Sequence, residues 1–253
     1  MKSLRAIIAL IIREMISTYG RHFFGYAWAI LEPVCGIALM SIVFSIAFRA
    51  PALGDNFPLF YASGLLPFFL WSDISSKISS SISFSKQLLF YPPIKYIHAI
   101  IARFIINIIT HVLVFVIVMT GICYIFDYQA HLVWSSMISS ILMASSLALG
   151  VGTLNCYATT RFPTWDKIWS IANRPAFIIS GILFLYDNVP EPYKTYLWYN
   201  PLVHVVGEMR SGFYPSYEAF YVSYLYIYGL SLVTFLIGLI FLNRHSKDLL
   251  VNL

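Results

Sequence analysis

The stretch SDISSKISSSISFSK, residues 72–86, decides how this chain is read. By composition it is a serine-rich linker. Its isoleucines, Ile74, Ile78 and Ile82, recur every four residues, the spacing that keeps side chains on one helical face. We read it as helix: the inner-leaflet extension of a segment that begins near Phe57 and runs past Trp71.

That reading needs a membrane, and the composition supplies one. The chain has 253 residues, 59% hydrophobic and 11% charged, too apolar and too poor in charge for an ordinary soluble domain. A spanning helix needs roughly 20 predominantly apolar residues to cross about 30 Å of hydrocarbon. Six segments qualify: 28–48, the segment from 57 just described, 97–126, 132–159, 168–186 and 221–242. The fold expected is an all-α membrane protein with six transmembrane helices in one domain, 1–253, without internal repeats. The first helix begins before Glu32, because the run after Pro33 is too short to span. Glu32-Pro33 is read as an elbow near the inner surface.

Residues 1–22 have a different pattern. Leu4, Ile8, Ile11 and Met15 share one helical face, with Lys2, Arg13 and Ser17 on the other. Such a helix lies in the membrane interface rather than crossing it. It lacks the short apolar core and small-residue cleavage site of a signal peptide.

Orientation follows from Lys and Arg. With the N-terminus inside, Lys2, Arg5, Arg13, Arg21, Lys77, Lys86, Lys95, Arg103, Arg161, Lys167, Arg244 and Lys247 fall at the cytoplasmic side. Arg49, Lys194 and Arg210 fall outside, and Arg174 within the fifth helix. Both termini are expected in the cytoplasm. Residues 84–96, FSKQLLFYPPIKY, form a cytoplasmic loop. Residues 187–220 form the longest external segment, so apolar that it should dip into the membrane or pack on the bundle.

Three ionisable groups share one layer. Glu32 lies about 6 Å and Arg174 about 9 Å from the cytoplasmic starts of their helices, and Asp73 about 24 Å from the outer start of its own. Charges at such depth must pair or face water. Two readings stay open: a fixed pair of Glu32 or Asp73 with Arg174, or a polar collar at the mouth of a pathway.

Other chemistry is sparse. The three cysteines, Cys35, Cys123 and Cys156, fall in apolar runs without a CxxC pair and read as small buried hydrophobes. No GxxxxGK[ST] phosphate loop, HExxH or GxSxG occurs. His204 and Glu208 have a ligand-like spacing, but a packing role is the better reading, and no metal is expected. The basic residues scatter along one membrane face, which does not suit nucleic acid. Aromatics are abundant, 18 Tyr, 20 Phe and 6 Trp. Most belong to interfacial belts, yet Trp28, Tyr61, Phe68, Phe69 and Trp71 are candidates to line a path for sugar rings.

Three stretches together resemble a known family: REMISTYGRHFFGYAWAILEP (13–33), YASGLLPFFLW (61–71) and NPLVHVVGEMRSGFYPSY (200–217). Their order and spacing are similar to the membrane subunits of type-2 ABC exporters, specifically permeases of capsular polysaccharide export in Gram-negative bacteria. The resemblance spans nearly the whole chain. It implies an inner-membrane subunit paired with a second copy of itself, and two separate ATP-binding subunits that carry ATP and Mg, this chain holding no cofactor. It also implies a periplasmic adaptor or co-polymerase, an outer-membrane export protein and a lipid-linked polysaccharide. The N-terminal helix would be a gate helix, with Arg13, Glu14 and Arg21 near the entry. Lys86, Phe90, Tyr91, Pro92, Pro93 and Lys95 would couple to the ATPase. Short re-entrant helices carrying Asn200, His204, Glu208, Arg210 and Tyr214 would form an external gate. The competing expectations are an exporter of O-antigen, teichoic acid, a small drug or lipid, an integral-membrane enzyme acting on lipid-linked sugars, and a structural anchor.

Overall fold

The computed structural model describes residues 2–19, 25–89, 94–128 and 132–245, and every regular element among them is helical. The order is α1 (Lys2–Tyr19), α2 (Gly25–Ala47), α3 (Phe57–Ser79), α4 (Ser81–Leu89), α5 (Tyr96–Ile125), α6 (Trp134–Arg161), α7 (Trp165–Ile179), α8 (Tyr193–Trp198), α9 (Pro201–Phe213) and α10 (Tyr224–Arg244). A 3-10 turn at Tyr186–Asn188 lies between α7 and α8.

Among the described residues, five segments are long and apolar enough to cross a membrane: Ala27–Ala47, Phe57–Leu89, Tyr96–Ile125, Trp134–Arg161 and Tyr224–Arg244. The shortfall against six lies at 168–186. There α7 stops at Ile179 after 15 residues, about 22 Å of helix. The chain then turns through Ser180 and Gly181, whose φ of +79° suits glycine.

α3 is the central helix, flanked by α2, α5, α6 and α9. Asn56 caps it by accepting from the Leu59 N–H at 3.1 Å, with Pro58 in the first turn, where its missing donor costs nothing. Every residue from Leu59 to Phe68 is buried. Only Ser80 separates α3 from α4. The Ser80 N–H still bonds Ser76 O, and the Phe84 N–H bonds Ser80 O. The pair forms 33 residues of nearly continuous helix, about 50 Å against about 30 Å of hydrocarbon. It therefore projects beyond the membrane. Ile74, Ile78 and Ile82 are buried, as their spacing requires. The loop expected over 84–96 is shorter than read, because α4 stays helical to Leu89.

α2 continues through Pro33, which lies well inside the helix and is buried. Glu32-Pro33 is thus not the elbow. Residues 20–24, between α1 and α2, lie outside the described residues. α6 packs closely on both α3 and α10. A Cβ on Gly152 would stand 2.9 Å from Ile78 Cβ and 3.0 Å from Ser75 O, and one on Gly238 would stand 2.7 Å from Leu154 N.

The bundle has two unlike ends. One holds α1, α4, the start of α5 and the ends of α6 and α10, joined where Thr159 donates to Ser79 O at 3.1 Å. This is the basic end, with Lys77, Lys86, Lys95, Arg103, Arg161 and Arg244. The other holds the start of α3, the end of α5 and α9. There the Val133 N–H donates to Gly212 O at 2.9 Å, and α8 precedes α9.

Candidate functional site

At the basic end, four helices meet on one guanidinium. Arg103 of α5 donates through Nε to Glu14 of α1 at 3.1 Å. Its Nη1 donates to Ser80 Oγ at 2.8 Å and to Lys77 O, which closes the α3–α4 junction. Its plane lies 4.1 Å from the Phe84 ring of α4, and Arg13 of α1 lies 5.3 Å from the same ring. Phe84 thus takes cation–π contact from two arginines. α1 meets the bundle through Leu10 and Glu14, both buried. Leu4, Ile8, Ile12, Met15 and Ile16 stay exposed.

Above that junction α3 changes character. Its buried side carries Ile74 and Ile78. Its other side carries Phe69, Ser72, Asp73, Ser76, Lys77 and Ser80, at helical spacing, half-buried or exposed. Ser72, Asp73 and Ser76 lie about 22–29 Å from the start of α3, at the depth of a hydrocarbon layer. Asp73 meets His111 Nε2 of α5 at 3.3 Å, with the carboxylate about half exposed and the imidazole largely covered. Ser72 and Ser76 were not among the expected path residues; the signal that marks them is the polar row opposite the isoleucines in residues 72–86.

Several expected path residues lie elsewhere. Tyr61, Phe68 and Trp71 are core residues rather than lining, because α3 is enclosed by four helices. Phe68 packs against Phe177 of α7 at 5.6 Å. Phe69 is half-buried, and its ring would meet a Cβ on Gly36 at 3.7 Å. Trp28 and Glu32 are exposed on α2, and Arg174 is exposed on α7. The pairing of Glu32 or Asp73 with Arg174 does not form among the described residues. Arg174 lies on the exposed side of α7, and Asp73 is taken by His111. Lys86 is half-buried on α4, and Lys95 is exposed at the start of α5, its N–H donating to His98 Nδ1 at 3.2 Å. Arg21, Phe90, Tyr91, Pro92 and Pro93 lie outside the described residues.

At the other end the apolar segment packs inside the bundle. Asn200 caps α9, accepting from the Leu202 N–H at 3.1 Å and donating to Ile179 O at 2.8 Å, which ties α9 to the end of α7. His204 is fully buried. Its Nε2–H donates to Trp198 O at 2.8 Å, and its Nδ1 accepts from the Ser223 N–H at 3.2 Å. Both ring nitrogens are thereby used, in the neutral tautomer. Glu208 is buried and takes the Tyr224 hydroxyl. Glu208 and Arg210, expected in an external segment that dips into the membrane or packs on the bundle, are both buried on α9.

Arg210 donates at 2.8 Å to both Ile182 O and Phe184 O and lies 4.2 Å from the Phe60 ring. It satisfies the irregular backbone after α7, which needs such partners at membrane depth. Tyr214 is buried, and its ring closes on Gly54, at φ +68°. Tyr217 donates to Asp187 at 2.9 Å. Burial pushes the Tyr217 phenol up, so it keeps the proton it donates.

The sequence profile described as ABC-2 type transporter matches residues 5–214. The chain is 32% identical over 251 residues to the polysialic acid transport protein KpsM of Escherichia coli, covering 96% of this chain and 95% of the relative. It is 27% identical over 245 residues to the capsule polysaccharide export inner-membrane protein CtrC of Neisseria meningitidis, covering 96% and 92%. It is 23% identical over 250 residues to the O-antigen export system permease protein RfbA of Klebsiella pneumoniae, covering 94% and 91%.

Proposed function

Because the chain belongs to the ABC-2 type transporter family, we propose that it is the membrane-spanning subunit of an exporter that carries capsular polysaccharide, lipid-linked and anionic, from the cytoplasm across the inner membrane. It is a multi-pass helical transport protein, and ATP hydrolysis lies on a separate subunit. The capsule relatives named above support the substrate class. The alignment with the O-antigen permease keeps that polymer as the second reading, at lower identity.

One observation carries the pathway. Ser72, Asp73 and Ser76 form a polar face at hydrocarbon depth, left open by the protomer. Facing lipid, such groups are costly, so they face water, substrate or a second copy of the chain. A pathway between two copies satisfies all three residues at once.

The rest of the architecture follows from that reading. The basic end faces the cytoplasm, as its lysines and arginines favour, with both termini there. α1 lies in the inner interface as a gate helix, its exposed apolar residues in lipid. α4 and the segment through Lys95 dock an ATP-binding subunit. A sixth crossing is made by α7 with residues 180–185. It is anchored where Trp165 donates to Asn155 at 3.0 Å and again where Arg210 holds Ile182 and Phe184. α8 and α9 re-enter from the outside and close the external mouth. A periplasmic adaptor and an outer-membrane export protein complete the route.

The test is thiol labelling in a variant lacking Cys35, Cys123 and Cys156. Single cysteines at Ser72 and Ser76 should react with a membrane-impermeant reagent in inside-out vesicles, and those at Ile74 and Ile78 should not. Equal protection of all four would overturn the pathway.

A further inference from the structure

The basic end holds a cavity of about 700 Å³ beside the segment proposed to dock the ATP-binding subunit. Ile82 and Leu89 of α4 and Ile94, Tyr96 and Ile97 at the start of α5 form one wall; Leu239, Ile240 and Leu242 of α10 form the other. Its polar edge is Lys95 and Asn243. Lys95 is exposed, and Arg244 is exposed at the end of α10.

Three features identify an occupant. The walls are apolar, so water gains little there. The cavity is continuous with the lipid-facing side of α10, where Ile237, Ile240 and Phe241 are exposed. Its apolar part ends at a lysine, at the level where the last turn of a membrane-crossing helix reaches the headgroups. Basic pockets between membrane helices hold anionic headgroups.

We infer that this cavity binds one membrane phospholipid with an anionic headgroup, an acyl chain between α5 and α10 and the phosphate at Lys95. The lipid fills the gap between α10 and the wall formed by α4 and the start of α5. It therefore wedges the region proposed to meet the ATPase, and its binding does not depend on which polymer is exported.

The test is native mass spectrometry of the detergent-purified complex with its ATP-binding subunit, titrated with phosphatidylglycerol or phosphatidylcholine. One retained phosphatidylglycerol per chain is expected, in preference to phosphatidylcholine. Lys95→Glu should cut that preference about fivefold or more, since a lysine near an anionic headgroup contributes on the order of 1 kcal/mol. Leu239→Trp, which fills the cavity, should abolish retention of both lipids. Ile97→Trp does the same from the opposite wall, should the first variant fail to assemble. Equal retention of the two lipids, or retention unmoved by all three variants, overturns the site. So does retention that appears only after deletion of residues 246–253, which would make the chain's own terminus the occupant. Export of polysaccharide by the unmodified complex is scored separately, so failure of the lipid site is distinct from failure of the transport reading.

Discussion

Glu14 and Arg103 stand 89 residues apart in the chain and meet as a buried ion pair at 3.1 Å. The contact pins α1 to α5 and, through the other donors of Arg103, to the α3–α4 junction. Removing one partner of a buried pair leaves an uncompensated charge and costs about 3–5 kcal/mol. Glu14→Ala should therefore lower the melting temperature of the detergent-purified protein sharply. Adding Arg103→Met should restore part of the loss, because no charge is then orphaned. Recovery stays incomplete, since Lys77 O and Ser80 lose their donor. A double variant as unstable as the sum of the singles would show that the pair is not coupled.

Arg210 makes a related prediction at the other end. Its two amino groups serve two carbonyls, and Phe60 covers the plane. Leaving a buried carbonyl unsatisfied costs about 1–3 kcal/mol. Arg210→Met should destabilise the protein strongly. Arg210→Lys should recover little, because a single ammonium does not reproduce the flat fork. Thermal melting followed by size-exclusion fluorescence distinguishes them. If Lys behaves as the native residue, charge alone suffices and the bidentate geometry is irrelevant.

These two arginines show where sequence reading succeeds and stops. Helix periodicity is local, so Ile74, Ile78 and Ile82 revealed the helical character of a serine-rich run. The same run displayed the polar face opposite, which reads as a surface only once α3 is known to be enclosed on its other sides. The end of α7 was hidden, because apolar runs, Ala176–Ile179 and Ile182–Tyr186, lie on both sides of Ser180-Gly181 and read as one segment. The stop at Ser180 depends on Arg210, some thirty positions later, holding the irregular backbone. Tyr61, Phe68 and Trp71 carry no local mark of burial. Glu14 and Arg103 likewise look like two surface charges until the fold brings them together. Short-range pattern encodes elements; partner choice is long-range.

The seam between α6 and α10 yields a controlled pair. A Cβ on Gly238 meets backbone atoms of Thr153 and Leu154 at 2.7–3.0 Å, whereas Gly229 on the same helix has nothing within 4 Å. Overpacking of this kind costs about 1–3 kcal/mol. Gly238→Ala should reduce folded yield and melting temperature. Gly229→Ala should leave both unchanged or slightly raised, given alanine's higher helix propensity. Equal behaviour of the two variants would mean that the α6–α10 contact yields easily.

The polar face of α3 admits the sharpest separation of stability from transport. Converting Ser72 and Ser76 together to leucine removes two hydroxyls from hydrocarbon depth. If the face meets lipid, leucine is the better residue there, and both stability and export should be unchanged or improved. If it lines the pathway, the fold should persist with an unchanged melting temperature while surface polysaccharide falls by about tenfold, a barrier of roughly 1.4 kcal/mol on the transport step. Complementation of a permease-deletion host, scored by surface and intracellular polymer, reads the difference. The pathway reading expects polymer to accumulate inside the cell while protein level and ATPase recovery stay normal. Normal surface polymer in the double variant would place the stripe against lipid or in a passive contact, and would move the route away from α3.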